Sequence, residues 1–196
     1  MSGAQYGHIE EMVEKIPAGS QGLLFFPYFT HASSTVLKGT SASGVIFGFN
    51  YDHTPYHVIR AIMESVGLIY RNITDRMGSL GLPVEEIVLG GGGSRSQTWR
   101  QIIAHILGQP VLKTEVEEAS ALGSAIMAAI GLGYYEDLGR AASAMVKEKR
   151  EDRCYPDPSL SQLYCRIQGL FNHVHASLDY AFAKRREIWK DYDGLL

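Results

Sequence analysis

Residues 88–101 read VLGGGGSRSQTWRQ, an apolar run that passes through four glycines into a helical pattern. A strand that ends in glycine and feeds a helix presents backbone N–H groups and the positive end of a helix dipole. Without Cβ atoms in the way, an anion such as phosphate can approach that main chain. Ser94 and Ser96 add hydroxyls, and either could cap the following helix through Trp99 or Gln101. The competing explanation is a tight strand-to-helix turn in which glycine only supplies a positive φ. One glycine fits that explanation, whereas a run of four favours a ligand.

The run fits no standard nucleotide motif. No Gly-Lys-Ser/Thr closes it as a P-loop, and Gly91-x-Gly93-x-x-Ser96 lacks the third glycine of a dinucleotide fingerprint. No Gly-x-Ser-x-Gly nucleophile elbow occurs either. A second stretch, EEASALGSAIMAA (117–129), keeps its side chains short at Ala121, Gly123, Ser124, Ala125 and Ala128. It reads as a helix against which a backbone or a flat ligand can lie, one strand after the glycine loop.

Other residues carry less. His173 and His175 would point about 200° apart on a helix, which disfavours a shared metal. Cys154 and Cys165 have no zinc spacing and make no disulfide framework. Asp52 and Asp75 read as solvated carboxylates. KEKRED (147–152) alternates in sign as a solvated helix end does.

The elements that must position these residues follow from periodicity. Ile9–Ile16 reads as a short helix stopped by Pro17 and Gly19. In GLLFFPYFT (22–30) Pro27 argues against a central strand, HASSTVLKGTSASG (31–44) reads as a loop, and VIFGF (45–49) as a short strand or buried turn. From Thr54, a cap with Pro55 at the first helical position, the residues Ile59, Ile62, Met63, Val66, Ile69, Tyr70, Ile73 and Met77 trace one stripe. Gly78 and Gly81 end that helix. EEIVL (85–89) is a buried strand, Trp99–Leu107 a helix, VLKT (111–114) a second strand and 119–130 a third helix. Residues 136–149 read as helical, YPDPS (155–159) as a linker, and a long last helix follows, with Phe171 on its core face. This is the rhythm of a parallel α/β unit, but with only two confident strands.

The chain of 196 residues is ordinary in composition, 45% hydrophobic and 20% charged. A net charge of −3 argues against nucleic acid as the main partner. No apolar run is long enough for a bilayer span, and the first residues lack the features of a signal peptide. A cytoplasmic protein with reduced thiols is the expectation.

In several stretches the sequence resembles the carboxy-terminal domain of the FGGY carbohydrate kinases, most nearly the xylulose kinase branch. IVLGGGGSRSQTWRQIIAHILGQPV followed by EEASALGSAIMAA carries the likeness. GSQGLLFFPYFT, GVIFGFNYDHTPYHVIRAIMESVG and YPDPSLSQLYCRIQGLF extend it in order along nearly the whole chain. The resemblance implies an α/β fold, a helix-rich part of the actin-like ATPase (ribonuclease H-like) architecture with few core strands. It implies ATP or ADP as ligand, with Gly91, Gly92 and Gly93 at the phosphates, Ser94 and Ser96 near the α-phosphate or adenine, and Gly123 lining the nucleotide side. It also implies a small sugar as substrate, a ketose such as xylulose. Members carry an amino-terminal domain with the general-base aspartate and, largely, the Mg²⁺ site, then a Gly-Thr phosphate hairpin. Nothing before His8 matches these, so residues 1–196 are expected to be the nucleotide-binding domain without its first hairpin strands, and inactive alone. Where the family has Ser-Gly-Glu-Arg-x-Pro, this chain has Thr30-His31-Ala32-Ser33-Ser34-Thr35, which leaves the sugar open. The alternative is a non-catalytic actin-like nucleotide-binding or assembly module, and a bare sheet edge would favour a homo-oligomer.

Overall fold

A computed structural model describes residues 3–29, 42–115 and 118–190. The elements run α1 (Gly3–Glu14), β1 (Leu24–Phe26), β2 (Val45–Phe47), α2 (Pro55–Ser79), β3 (Ile87–Leu89), α3 (Gln97–Leu107), β4 (Val111–Thr114), α4 (Ala119–Gly131), α5 (Leu138–Met145), β5 (Glu148–Cys154) and α6 (Pro158–Trp189). Short 3₁₀ turns at Ser20–Gly22 and Gly92–Arg95 join α1 to β1 and β3 to α3. The loop expected at 31–44 lies mostly outside the described residues.

Two small sheets form. β1 and β2 pair antiparallel, with Phe25 opposite Ile46, and β1 stops at Phe26 because Pro27 has no N–H to continue the ladder. β3 and β4 pair parallel, Val88 opposite Leu112, with α3 as the crossover that a parallel pair requires. β5 then adds antiparallel to the far side of β4, giving the order β3-β4-β5.

β5 corrects the reading of KEKRED as a helix end. α5 closes at Met145 and Glu148–Cys154 becomes an edge strand. A charged sequence of low strand propensity is tolerated at an edge, and β4 offers a row of backbone groups that only a strand can pair. Cys154 is buried at its end, and the Asp152 carbonyl accepts from the Arg100 guanidinium at 2.9 Å. Burial raises the Cys154 thiol pKa, so it is a core thiol and not a nucleophile.

The main core lies where α2, α3 and α6 cross beneath the β1–β2 hairpin. Met63, Leu68, Ile102, Ile106, Phe171 and Phe26 are buried there, and Phe26 and Phe171 stack with centroids 4.5 Å apart. Gly67 lets α2 and α3 meet closely: a Cβ there would come within 2.6 Å of the Ile106 side chain. Thr54 and Pro55 start α2 as expected, the Thr54 N–H donating to Nδ1 of His57 at 3.1 Å. The buried face of α2 differs from the apolar stripe, however. Tyr70 and Met77 are exposed, whereas Arg60 and Glu64 are buried.

Glu64 is the polar hub of this core. It accepts from Arg60 Nε at 2.9 Å, the Tyr164 hydroxyl at 2.7 Å, the Gly19 N–H at 2.9 Å and the Ser20 hydroxyl at 2.9 Å. Those bonds satisfy a buried carboxylate that would otherwise be very costly. They also fix the turn after α1, where Ser20 and Gln21 hold positive φ values of 47° and 54°. Left-handed backbone at non-glycine residues costs energy and persists only where surroundings impose it. Arg60 additionally donates to the Val13 carbonyl at 3.1 Å, anchoring the end of α1.

Candidate functional site

The four glycines after β3 differ in what a side chain would meet there. A Cβ at Gly90 would lie 3.0 Å from the Ala119 Cβ, so this glycine lets the start of α4 close on the loop. Gly91 has φ 81° and ψ −174°, a conformation nearly confined to glycine. At Gly93 a Cβ would come within 2.9 Å of the Trp99 ring, which covers that residue. Gly92 has neither reason: its φ is not positive, and a Cβ would meet nothing within 4 Å. Three of the glycines thus answer to the turn and its packing. Only at Gly92 does nothing among the described residues account for the missing side chain.

The serines shape the loop. Ser94 is 2% exposed and its hydroxyl donates to the Gly91 carbonyl at 2.7 Å. Ser96 caps α3, its Oγ accepting the Trp99 N–H at 3.0 Å. Of the two caps considered from the sequence, Ser96 to Trp99 is the one that forms. The Trp99 indole N–H donates to the Met63 carbonyl at 3.0 Å, so α2 fixes the ring under Gly93. Gly123 stands exposed on α4, apart from these residues, with open space where a Cβ would go.

Gly92, Gly93, Arg95, Ser96 and Trp99 form one wall of a groove of about 860 Å³. Ile59, Ile62 and Met63 of α2 make its floor, and α1 makes the opposite wall through Tyr6, Gly7, Ile9 and Glu10. Volume and apolar lining suit a mononucleotide-sized ligand. The apolar pattern places the start of the first helix at Ile9, whereas it begins at Gly3, so the α1 wall is not legible in that pattern. A signal was present in Gly7. Glycine inside a helix costs about 1 kcal/mol relative to Ala, and a Cβ at Gly7 would meet nothing within 4 Å. The two walls are tied together at their inner end, where the Thr98 hydroxyl donates to Glu14 at 2.6 Å.

This architecture matches known proteins. The model for the carboxy-terminal domain of the FGGY family of carbohydrate kinases matches residues 6–132. The chain belongs to the FGGY carbohydrate kinases. Xylulose kinase of Bacillus subtilis is 32% identical over 83% of this chain and 32% of the relative. An autoinducer-2 kinase of Enterobacter is 31% identical over 87% of this chain and 32% of the relative. The crystal structure of xylulose kinase from Rhodospirillum rubrum superposes with a TM-score of 0.74 at 30% identity, covering 92% of this chain and 35% of that one. The FGGY chain described here therefore spans about a third of the length of these relatives. Its fold is the helix-rich, strand-poor α/β part of a carboxy-terminal domain of the actin-like ATPase class.

Members of the family are ATP-dependent phosphotransferases, and the groove's size, apolar floor and unshielded Gly92 are compatible with a nucleotide. Among the described residues no group of three His, Cys, Asp or Glu side chains gathers to hold a metal ion, and no step is assigned to Mg²⁺. Nor is any helix of the described residues long and apolar enough to cross a membrane.

Proposed function

We propose that this chain is the nucleotide-holding part of an ATP-dependent sugar kinase. The purine lies in the groove between Gly7 of α1 and Gly92, and the phosphates run along the N–H groups of Gly91, Gly92 and Gly93. ATP supplies the γ-phosphoryl group. The chain's own residues bind and orient the nucleotide: Trp99, fixed by Met63, supports the loop from beneath, Ser96 caps α3 behind it, and Ser94 acts through the loop's shape. Phosphoryl transfer depends mainly on such positioning and on charge neutralisation. A ketose such as xylulose is the proposed sugar, supported by the xylulose kinases among the relatives. The sugar, the general base and the Mg²⁺ ligands belong to a companion amino-terminal domain in this reading, so this chain by itself does not phosphorylate sugars.

The observation that carries the proposal is Gly92, open on the groove with no internal need to be glycine. Calorimetric titration with ADP tests it, using the parent chain and Gly92→Asp. A carboxylate there repels phosphate and fills the space that glycine leaves, so the parent is expected to bind and the variant not. Equal binding by both would move the phosphates away from this loop.

A second reading, a non-catalytic actin-like module that associates with a second copy, draws on the bare side of the molecule. β3 has no second neighbour among the described residues, and α4 exposes apolar side chains. Light scattering separates the two: a monomer that binds ADP supports the kinase part, an ADP-independent oligomer the assembly module.

A further inference from the structure

We propose that Glu10 reads the nucleobase in this groove, accepting from the exocyclic amine of a 6-aminopurine and disfavouring 6-oxopurines. The inference rests on the nucleotide reading above and adds to it a selectivity that the glycine loop cannot supply.

The three acidic residues of α1 are placed differently. Glu11 pairs with Lys15 at 2.8 Å, and Glu14 accepts from Thr98 at 2.6 Å. Glu10, half-buried in the groove wall, makes no hydrogen bond or ion pair with any described residue. A ligand that fills the groove takes the remaining water from this half-buried carboxylate, and a donor on that ligand offsets the loss.

The groove's polarity says which part of the ligand that donor belongs to. The loop wall carries Arg95, a cation favourable to phosphate although it also pairs with Glu118 at 3.6 Å, and the glycines at which an anion can approach the main chain. The α1 wall carries Glu10, the one acidic side chain lining the groove, and like charges repel. Phosphate therefore belongs at the loop and not beside α1. What remains for the α1 side is a flat group that tolerates Ile9, Ile59 and Ile62 and presents an N–H at its rim. An adenine has that N–H at position 6, whereas hypoxanthine and guanine present an oxygen there, an acceptor facing an acceptor. Gly7, on the same wall, lets the ring lie against the helix backbone.

The test compares ADP with inosine diphosphate, which differs at the 6-position and its adjoining ring nitrogen, on the parent chain and on Glu10→Gln by calorimetric titration. Hydrogen bonds to charged groups discriminate by roughly tenfold or more, so the parent is expected to bind ADP at least about tenfold more tightly. Glutamine offers a donor as well as an acceptor, so Glu10→Gln is expected to bring the two affinities together. Its melting temperature should match the parent's, because Glu10 supports nothing internal. Equal affinities in the parent, or a variant that weakens both nucleotides by the same factor, overturn the role of Glu10 and leave the nucleotide site standing. A parent that binds neither nucleotide overturns the nucleotide reading, and the role of Glu10 with it.

Discussion

Glu64 and Ile126 stand at the centres of two regions built on opposite terms. Around Glu64, charged and aromatic groups from α2, α6 and the turn after α1 are buried and bonded to one another. Around Ile126, the one buried residue of α4, a helix of small and apolar residues with no charged side chain lies open. Met127 is 63% exposed, and beyond the helix Leu132 and Tyr134 are 75% and 77% exposed. Helices apolar on all sides are ordinarily buried. The first region is complete within this chain; the second has the composition of an interior without the cover. The difference separates a region held by its own internal bonds from one whose apolar side chains lie open.

The comparison can be broken most sharply at Glu64. Glu64→Ala leaves Arg60 buried without its partner and is expected to cost about 3–5 kcal/mol, whereas Met127→Ala on exposed α4 should change stability by less than about 0.5 kcal/mol. Urea unfolding of the two variants decides; similar losses would mean that α4 contributes to the same core.

Next in size are the paired glycines of the loop. Gly93→Ala drives a methyl into the Trp99 ring and should cost about 1–3 kcal/mol. Gly92→Ala should leave the melting temperature nearly unchanged and weaken ADP. If the two variants melt alike, the division of the loop between packing and ligand is wrong.

Acid should loosen the packed region first. Burial lowers the pKa of His57, helped by neighbouring His53, and burial also lowers His105 and His175 against the opposing charges of Asp157 and Asp179. Groups whose pKa is depressed on folding bind protons more readily unfolded. Their contribution is therefore present above the ordinary histidine value of 6.5 and lost as pH falls through the lower folded values. Thermal melts at pH 7.5 and about pH 5.5 should show lower stability at the acid end, and His57→Gln should reduce that slope.

The smallest effect on stability, and the most visible in solution, belongs to the bare region. Leu132→Glu should leave stability within about 0.5 kcal/mol of the parent, and, if the parent self-associates in sedimentation velocity, should lower that association. Unchanged association would place the sticky surface elsewhere, on the exposed hairpin residues Phe47 and Phe49 for instance.

Local patterns in the chain determined a good deal. Thr54-Pro55 started α2, Ser96 capped α3, and VLKT took its place as a strand parallel to β3, because capping, proline geometry and short apolar runs act over a few residues. The glycine loop was legible as a place of close approach. Which glycine has no packing reason to be one was not, since only the positions of Ala119, Trp99 and the groove distinguish Gly90 and Gly93 from Gly92. The same limit hid the burial of Arg60 and Glu64: an i, i+4 ion pair looks like helix surface until Tyr164, a hundred residues away, closes over it. It also hid β5, whose charged residues form a strand only because β4 offers an edge to pair with. The sequence by itself settled what neighbours along the chain can decide, the starts of helices and the loop of glycines. The tertiary structure alone decided which polar groups are buried, which wall faces the loop and where the third strand lies, because those depend on partners that long-range packing brings together.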